Sequence, residues 1–252
     1  MWHGDILFLL QNLVFRDFRV RYRNMSLGVL WSLLNPLVMM GALTFVFTKI
    51  YPSNVKNFPV FVLCGLVPYN FFTLAWMNGT TYIIDNSGFL KRVPLPKEIV
   101  PLASVLSVSA HRIIQILLLL ATTFIFGRGP NIEWMWLPVR GLEIVFVCGL
   151  ALLTAAINVY IRDTRYIVEA INAILFWLVP TFYSFERIPA RFAGVYQLNP
   201  VAALVLCLRN ILLTATATPN STLVRLTTVS FAMFAVGLMV FRKSKHAFYD
   251  YI

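Results

Sequence analysis

Charge is what this chain has least of. Only 12% of its 252 residues are Asp, Glu, Lys or Arg, against roughly a quarter in a soluble domain. Acids are the scarcer sign, with 10 Asp and Glu beside 21 Lys and Arg. Cysteine and histidine are nearly absent, at three each. Cys64, Cys148 and Cys207 stand apart in apolar surroundings and read as small buried hydrophobes, which excludes a disulfide framework or a zinc cluster. His3, His111 and His246 are too widely spaced to form a metal site. No GxxxxGK[ST] segment occurs, so the chain cannot cradle ATP phosphates in the P-loop manner. HExxH and GxSxG are missing too. Any fuel for energised work would have to be handled by another chain.

What fills the chain instead is apolar residues, 59% of the total. Uncharged runs cover 24–48, 57–84, 144–161 and 226–241. Runs of about 18 or more apolar residues cross a bilayer as helices, and the alternating short strands of a membrane barrel are absent. The fold class expected is an all-α membrane protein. Six transmembrane helices are expected, at about 26–48, 58–79, 99–126, 137–159, 167–184 and 222–241. An even number puts both termini on one side. Twelve of the 21 Lys and Arg fall in segments on that side and eight opposite, which makes the shared side the cytoplasm. The net charge of +11 then reflects loop anchoring rather than a nucleic-acid surface. The first apolar stretch, 6–15, has no basic region before it and runs straight into arginines, unlike a cleavable leader.

The segment 185–221 is long for a loop, yet 198–213 (LNPVAALVLCLRNILL) is strongly apolar and interrupted by Arg209. A re-entrant or surface-lying helical hairpin fits it, because irregular backbone at membrane depth needs protein or water around it. A seventh span would instead put the C-terminus outside.

Four arginines lie within FRDFRVRYRN (15–24). On a helix, Asn12, Arg16, Arg19 and Arg23 share one face, and Leu10, Leu13, Val14, Phe18 and Val20 lie opposite. This predicts an amphipathic helix in the membrane interface. Asp17 and Arg21 fall among the apolar side chains at i, i+4 and can pair. A charged pair there suggests that the face meets protein; a basic anchor on anionic lipid is the plainer reading. Between spans two and three, Pro94 and Pro96 stiffen a loop that carries Ile83, Ile84, Phe89, Leu90 and Val93 among Lys91, Arg92, Lys97 and Glu98. Such an element suits docking on a soluble partner, or is an ordinary interfacial loop. Arg162, Asp163 and Arg165 anchor the end of span four. Arg112 lies mid-span and Arg140 stands i, i+3 from Glu143, where ions face a bundle interior or a watery path. Pro36 falls inside the first span and cannot donate to the Ser32 carbonyl, which predicts a kink. The span aromatics are packing or interface belts, or rings that stack on sugars along a pore.

Four stretches in order, RDFRVRYRNMSLGVLWSLLNPLVMM (16–40), FLKRVPLPKEIVPL (89–102), NVYIRDTRYIV (158–168) and LNPVAALVLCLRNILL (198–213), resemble the membrane subunit of ABC-2 type polysaccharide exporters, the permeases of O-antigen, teichoic acid and capsule export. The resemblance implies a single transmembrane domain over 26–252 behind an interface helix over 1–25. It implies a homodimer of this chain with two copies of an ABC ATPase subunit. That ATPase would hold ATP and magnesium; this chain would carry no cofactor and no catalytic residue. Docking on the ATPase would fall to Arg16, Asp17, Arg21, Phe89, Leu90, Lys91, Arg92, Val93, Lys97 and Glu98. Trp31, Phe45, Phe176 and Trp177 would line the channel and stack on glycan. Asn199, Pro200 and Arg209 would belong to re-entrant periplasmic gate helices between spans five and six. The cargo implied is a polysaccharide on a polyprenyl diphosphate lipid, exported across the bacterial inner membrane. Related readings are an ABC-2 permease for lipids or drugs and a membrane-embedded glycosyl or phosphosugar transferase.

Overall fold

The structure, a computed structural model, describes residues 6–22, 30–51, 55–91, 96–126, 136–185, 188, 189, 191, 196, 199–214 and 219–251. Within these, residues 6, 21, 22, 89, 136, 137, 214, 247, 249 and 250 are described by backbone alone. Every element among the described residues is helical: α1 (Ile6–Tyr22), α2 (Trp31–Phe45), α3 (Phe58–Asp85), α4 (Ser87–Leu90), α5 (Ile99–Ile125), α6 (Trp136–Tyr160), α7 (Thr164–Leu178), α8 (Pro200–Arg209), α9 (Asn220–Ser244) and α10 (Phe248–Tyr251). Wider π-turns extend α2 over Val46–Ile50 and α8 over Asn210–Thr214.

Among the described residues, five helices are long and apolar enough to cross a membrane: Trp31–Ile50, Phe58–Asp85, Ile99–Ile125, Pro138–Tyr160 and Asn220–Ser244. The expected fifth span, 167–184, is occupied by α7 and a turn. α7 has 15 residues, about 22 Å at 1.5 Å per residue, against roughly 30 Å of hydrocarbon. Its end has a local cause. Val179 precedes Pro180, which disfavours helical backbone at 179, and Val179 turns extended. The Tyr183 hydroxyl then returns to the last carbonyls of α7, 2.9 Å from Leu178 O and 3.1 Å from Trp177 O.

α3 is the axis of the bundle. It begins at Asn57, whose left-handed backbone (φ 53°) is one that Asn tolerates. α5 and α6 flank it, with α2, α7 and α8 also against it; α9 runs along α6, and α1 lies on α5. Mid-bundle, Phe71, Phe72 and Trp76 of α3 pack with Val105 of α5, Phe146 and Ala151 of α6, and Val201 and Val205 of α8. A polar ladder fixes the register of α3 on α6. Thr80 and Thr154 hydroxyls lie 2.7 Å apart, Trp76 Nε1 donates to Thr154 at 3.3 Å, and Asn158 Nδ2 donates to Thr80 O at 3.1 Å. Cys64, Cys148 and Cys207 are buried, and none is in a disulfide.

Pro36 sits buried inside a continuous α2. The Ser32 carbonyl that it cannot serve accepts from Gln115 Nε2 of α5 at 3.4 Å. Where there is no water, another helix supplies the missing donor.

α6 and α9 touch backbone to backbone. A Cβ on Gly237 would lie 2.1 Å from the Gly149 carbonyl oxygen, and one on Gly149 would lie 2.6 Å from the Met233 backbone. Small residues of this kind let membrane helices approach closely. Gly41 of α2 has open space around it. On helix propensity alone Gly→Ala stabilises by about 1 kcal/mol. Gly237→Ala is nevertheless expected to destabilise by roughly 2 kcal/mol, because the α6–α9 crossing is overpacked. Gly41→Ala should be neutral or stabilising. Thermal unfolding of the two variants in detergent reads the difference, and an unchanged Gly237→Ala melting temperature would show that the helices are not in backbone contact.

Candidate functional site

Of the sequence-predicted docking residues, those that the structure describes gather at one end of the bundle. α1 seats Leu13, with Leu9 and Leu10, against Ile99 and Ala103 of α5. Leu7, Phe8 and Phe15 stay exposed. Arg16 does not point out with the polar face that its helical spacing predicts. It turns toward α3, where Nη2 donates to Asn86 Oδ1 at 2.9 Å and to Tyr82 OH at 3.1 Å. Asp17 accepts from Arg16 Nη2 at 3.1 Å and from the Tyr82 hydroxyl. The i, i+4 partner predicted for Asp17 was Arg21, whose side chain lies outside the described residues. Tyr82 and Asn86 are the partners that sequence reasoning missed. They sit about 66 and 70 residues away in the chain, beyond any local spacing rule.

In the loop after α3, Leu90 is not an exposed apolar knob. It is buried among Tyr82, Ile83, Val100, Phe241 and Phe248. Lys91 is exposed. Phe89 is described by backbone alone, and Arg92 and Val93 lie outside the described residues. Lys97 and Glu98 are engaged by the C-terminal segment. Lys245 Nζ reaches Glu98 Oε1 at 2.5 Å, with Arg242 Nε at 3.9 Å. Lys97 donates to the Lys245 carbonyl at 3.2 Å and lies 5.5 Å from the Phe248 ring centre. Tyr160 completes the clasp, donating to Ser244 O at 2.7 Å and packing edge-on to Phe248 and Tyr251.

The four channel candidates are not gathered into one wall within a single copy. Trp31 and Phe45 are exposed near opposite ends of α2. Phe176 is half-buried in a ring cluster with Tyr69, Trp177 and Phe182, at centroid distances of 5.6, 5.5 and 5.7 Å. Trp177 is its exposed edge, 65% accessible. Phe47, rather than Phe45, joins that cluster through Phe182 at 5.4 Å.

Asn199 caps α8, its side chain accepting from Val201 N at 3.0 Å and Ala202 N at 3.4 Å, with Pro200 in the first turn. An Asn cap before Pro is a strong helix start. Arg209, 5% exposed, is a clamp. It donates to the Thr181 carbonyl, to Tyr183 O at 3.3 Å and to Phe61 O at 3.4 Å, and lies 3.6 Å from the Phe61 ring centre. Gly65 leaves the room for this: a Cβ there would meet Thr181 O at 2.4 Å and Arg209 Nη2 at 3.0 Å. The remaining buried ions converge. Arg112 Nη1 lies 2.6 Å from Glu143 Oε2 and its guanidinium 3.9 Å from the Phe71 ring centre, and Arg140 lies 3.6 Å from the same carboxylate oxygen.

The profile of a family described as ABC-2 type transporter matches residues 9–213. An O-antigen export system permease protein, RfbA, from Klebsiella pneumoniae is 26% identical over 97% of this chain and 93% of its own. RfbA of Myxococcus xanthus is 28% identical over 97% of this chain and 95% of its own. The polysialic acid transport protein KpsM of Escherichia coli is 22% identical over 93% of both.

The clasp on Glu98 carries a pH dependence. Burial alone would raise its carboxyl; the hydrogen bond from Lys245 and the charges of Lys245 and Arg242 outweigh burial and leave it below the ordinary 4.5. A depressed folded value means that the pairing stabilises fully above the ordinary carboxylate value and is lost as pH falls through the folded one. Hydrogen-exchange protection across 245–251, taken relative to the intrinsic rate at each pH, should therefore fall on acidification below 4.5. Lys245→Ala should exchange fast already at neutral pH and lose most of that step. A wild-type segment insensitive to acid would remove the role assigned to Glu98.

Proposed function

Because the chain belongs to the ABC-2 type transporter family, we propose that it is the permease subunit of an ATP-driven exporter of polyprenyl-diphosphate-linked, O-antigen-like polysaccharide. The observation that carries this is end-to-end similarity to permeases named for O-antigen and polysialic acid. Residues 1–25 form an interface helix and 26–252 one transmembrane domain. α7 with the capped turn that follows it serves as the fifth of six spans, and α8 is a re-entrant gate helix. Both termini are then cytoplasmic, and the membrane is the bacterial inner membrane.

Two copies of the chain pair around a channel, and two ATPase subunits, holding ATP and magnesium, bind below. Docking uses the end where α1, α4 and the clasped C-terminus meet. The clasp supports this reading: a surface that receives force has to be tied to the spans behind it. Arg16 and Asp17 tie α1 to α3 through Tyr82, and Lys97 and Glu98 tie the loop before α5 to α9. Exposed Lys91 faces the ATPase, and the resemblance assigns Arg21, Phe89, Arg92 and Val93 to the same contact. Exposed Trp31, Phe45 and Trp177 contribute rings from each copy to the channel, with Phe176 behind Trp177. Sugar stacking there is weak and repeated, because a conduit must also release what it binds.

Reconstitution with the ATPase tests the assembly, and loss of the chain from its host should cause a lipid-linked glycan to accumulate inside. Lys91→Glu with Arg92→Glu should lower both ATPase co-purification and stimulation of ATP hydrolysis by roughly tenfold, as charge reversals at a polar contact do. Melting temperature should stay unchanged. Glu98 is a poorer probe, since its loss also frees Lys245. Unchanged co-purification would overturn docking through this loop, and an unaltered glycan pool would overturn the cargo.

A further inference from the structure

Between α1, α3 and α5 lies a cavity of about 420 Å³ lined by Asp17, Val20, Asn78, Thr81, Tyr82, Asp85, Ser104 and Ser107. Its α3 wall, 78, 81, 82 and 85, is one helical stripe, and Ser104 and Ser107 are one turn apart on α5. Seven of the eight lining residues are polar, in a chain that is 59% hydrophobic. Ser104 and Ser107 are 2% and 4% exposed. Neither side-chain hydroxyl bonds another described residue. Both hydroxyls line the cavity, where a ligand can reach them. Asn78, Thr81 and Asp85 likewise have no partner among the described residues.

Helix length sets the depth. From Phe58, about 20 residues of α3 cross the hydrocarbon, which places Asn78–Asp85 at headgroup level. Counting back about 20 residues from Ile125 on α5 places Ser104 at the same level and Ser107 at its edge. Exposed Leu7, Phe8 and Phe15 on α1 suit a helix lying in lipid beside it.

The charge selects the ligand. None of the lining residues is a cation. Asp17 is already matched by Arg16, whereas Asp85 has no ion pair among the described residues. A phosphate would meet two carboxylates and no lining cation. An ammonium brings three N–H donors to the Asp85 carboxylate and to the oxygens of Ser104, Ser107, Thr81 and Asn78. We propose that this cavity binds the primary-ammonium headgroup of an ethanolamine phospholipid at the inner edge of α1, α3 and α5. The choline headgroup has the same charge but no N–H, and it cannot make these bonds. The proposal needs only that the chain spans a membrane, so it stands or falls apart from the export reading.

The test uses the full chain without any ATPase, in nanodiscs holding equal parts of ethanolamine, choline and glycerol phospholipids, moved into detergent for native mass spectrometry. Ethanolamine lipid should be retained about tenfold over choline lipid, the effect of losing charge-assisted hydrogen bonds. Asp85→Asn, at an exposed helix end, and the Ser104→Ala/Ser107→Ala double variant should each remove that preference while the melting temperature holds. Asp163→Asn, an exposed acid elsewhere, should leave it intact. Equal retention of choline lipid overturns the proposal. So does unaltered retention of ethanolamine lipid in Asp85→Asn.

Discussion

A guanidinium inside a bilayer has no water to fall back on, and the packing of this chain follows from where Arg112, Arg140 and Arg209 find partners. Glu143 draws Arg112 and Arg140 together and so joins α5 to α6. The described partners of Arg209 are different: carbonyl oxygens of Thr181, Tyr183 and Phe61 and the face of the Phe61 ring. The Thr181 and Tyr183 carbonyls belong to the turn after α7, where the helix break leaves acceptors without helical donors, and Phe61 O lies in the first turn of α3. One side chain therefore satisfies the irregular backbone that Pro180 creates and fastens α8 across it. Gln115 does the same for the gap left by Pro36. In both places a polar group from another helix covers the gap, because the bilayer offers nothing else.

The two ends of the bundle are held differently. Toward the Arg209 end, aromatic rings dominate, running from Phe58 through Phe47 and Phe182 to Phe176 and Trp177. Rings pack firmly yet keep apolar faces available at the exposed edge. At the other end, charged side chains knit α1, α3, the loop before α5 and the C-terminal helices through Arg16, Asp17, Glu98 and Lys245. The charged end is tied to α3 and α9, and the aromatic end keeps Trp177 exposed at its edge.

Much of this was legible from composition and spacing. Apolar runs identified the long helices, and the i, i+3 spacing of Arg140 and Glu143 anticipated their pairing. The apolar run 198–213 marked a helical segment within a stretch too long for a plain loop, and α8 lies there. Other features were not legible for physical reasons. Leu90 read as an exposed knob because its loop is polar, yet α6, α9 and α10 close over it. Arg16 read as outward because helical projection knows nothing of Tyr82 and Asn86. The fifth apolar stretch read as a full span because hydropathy counts Val179, Pro180 and Phe182 as readily as helical residues, while the backbone preference of a residue before proline ends α7 at Leu178.

The sequence by itself determined a helical, membrane-embedded chain with a basic amphipathic start, since those properties depend on residues within a turn or two of one another and on the cost of leaving backbone unpaired in lipid. Only the tertiary structure decided which polar side chains are spent on holding the bundle and which remain open. Arg16, Glu98 and Arg209 are engaged within the chain, whereas Asp85, Ser104 and Ser107 face a shared cavity. That division depends on which helices cross. Here the crossings are set by glycine contacts at 149 and 237 and by hydrogen bonds between residues dozens of positions apart, distances at which helical periodicity carries no information.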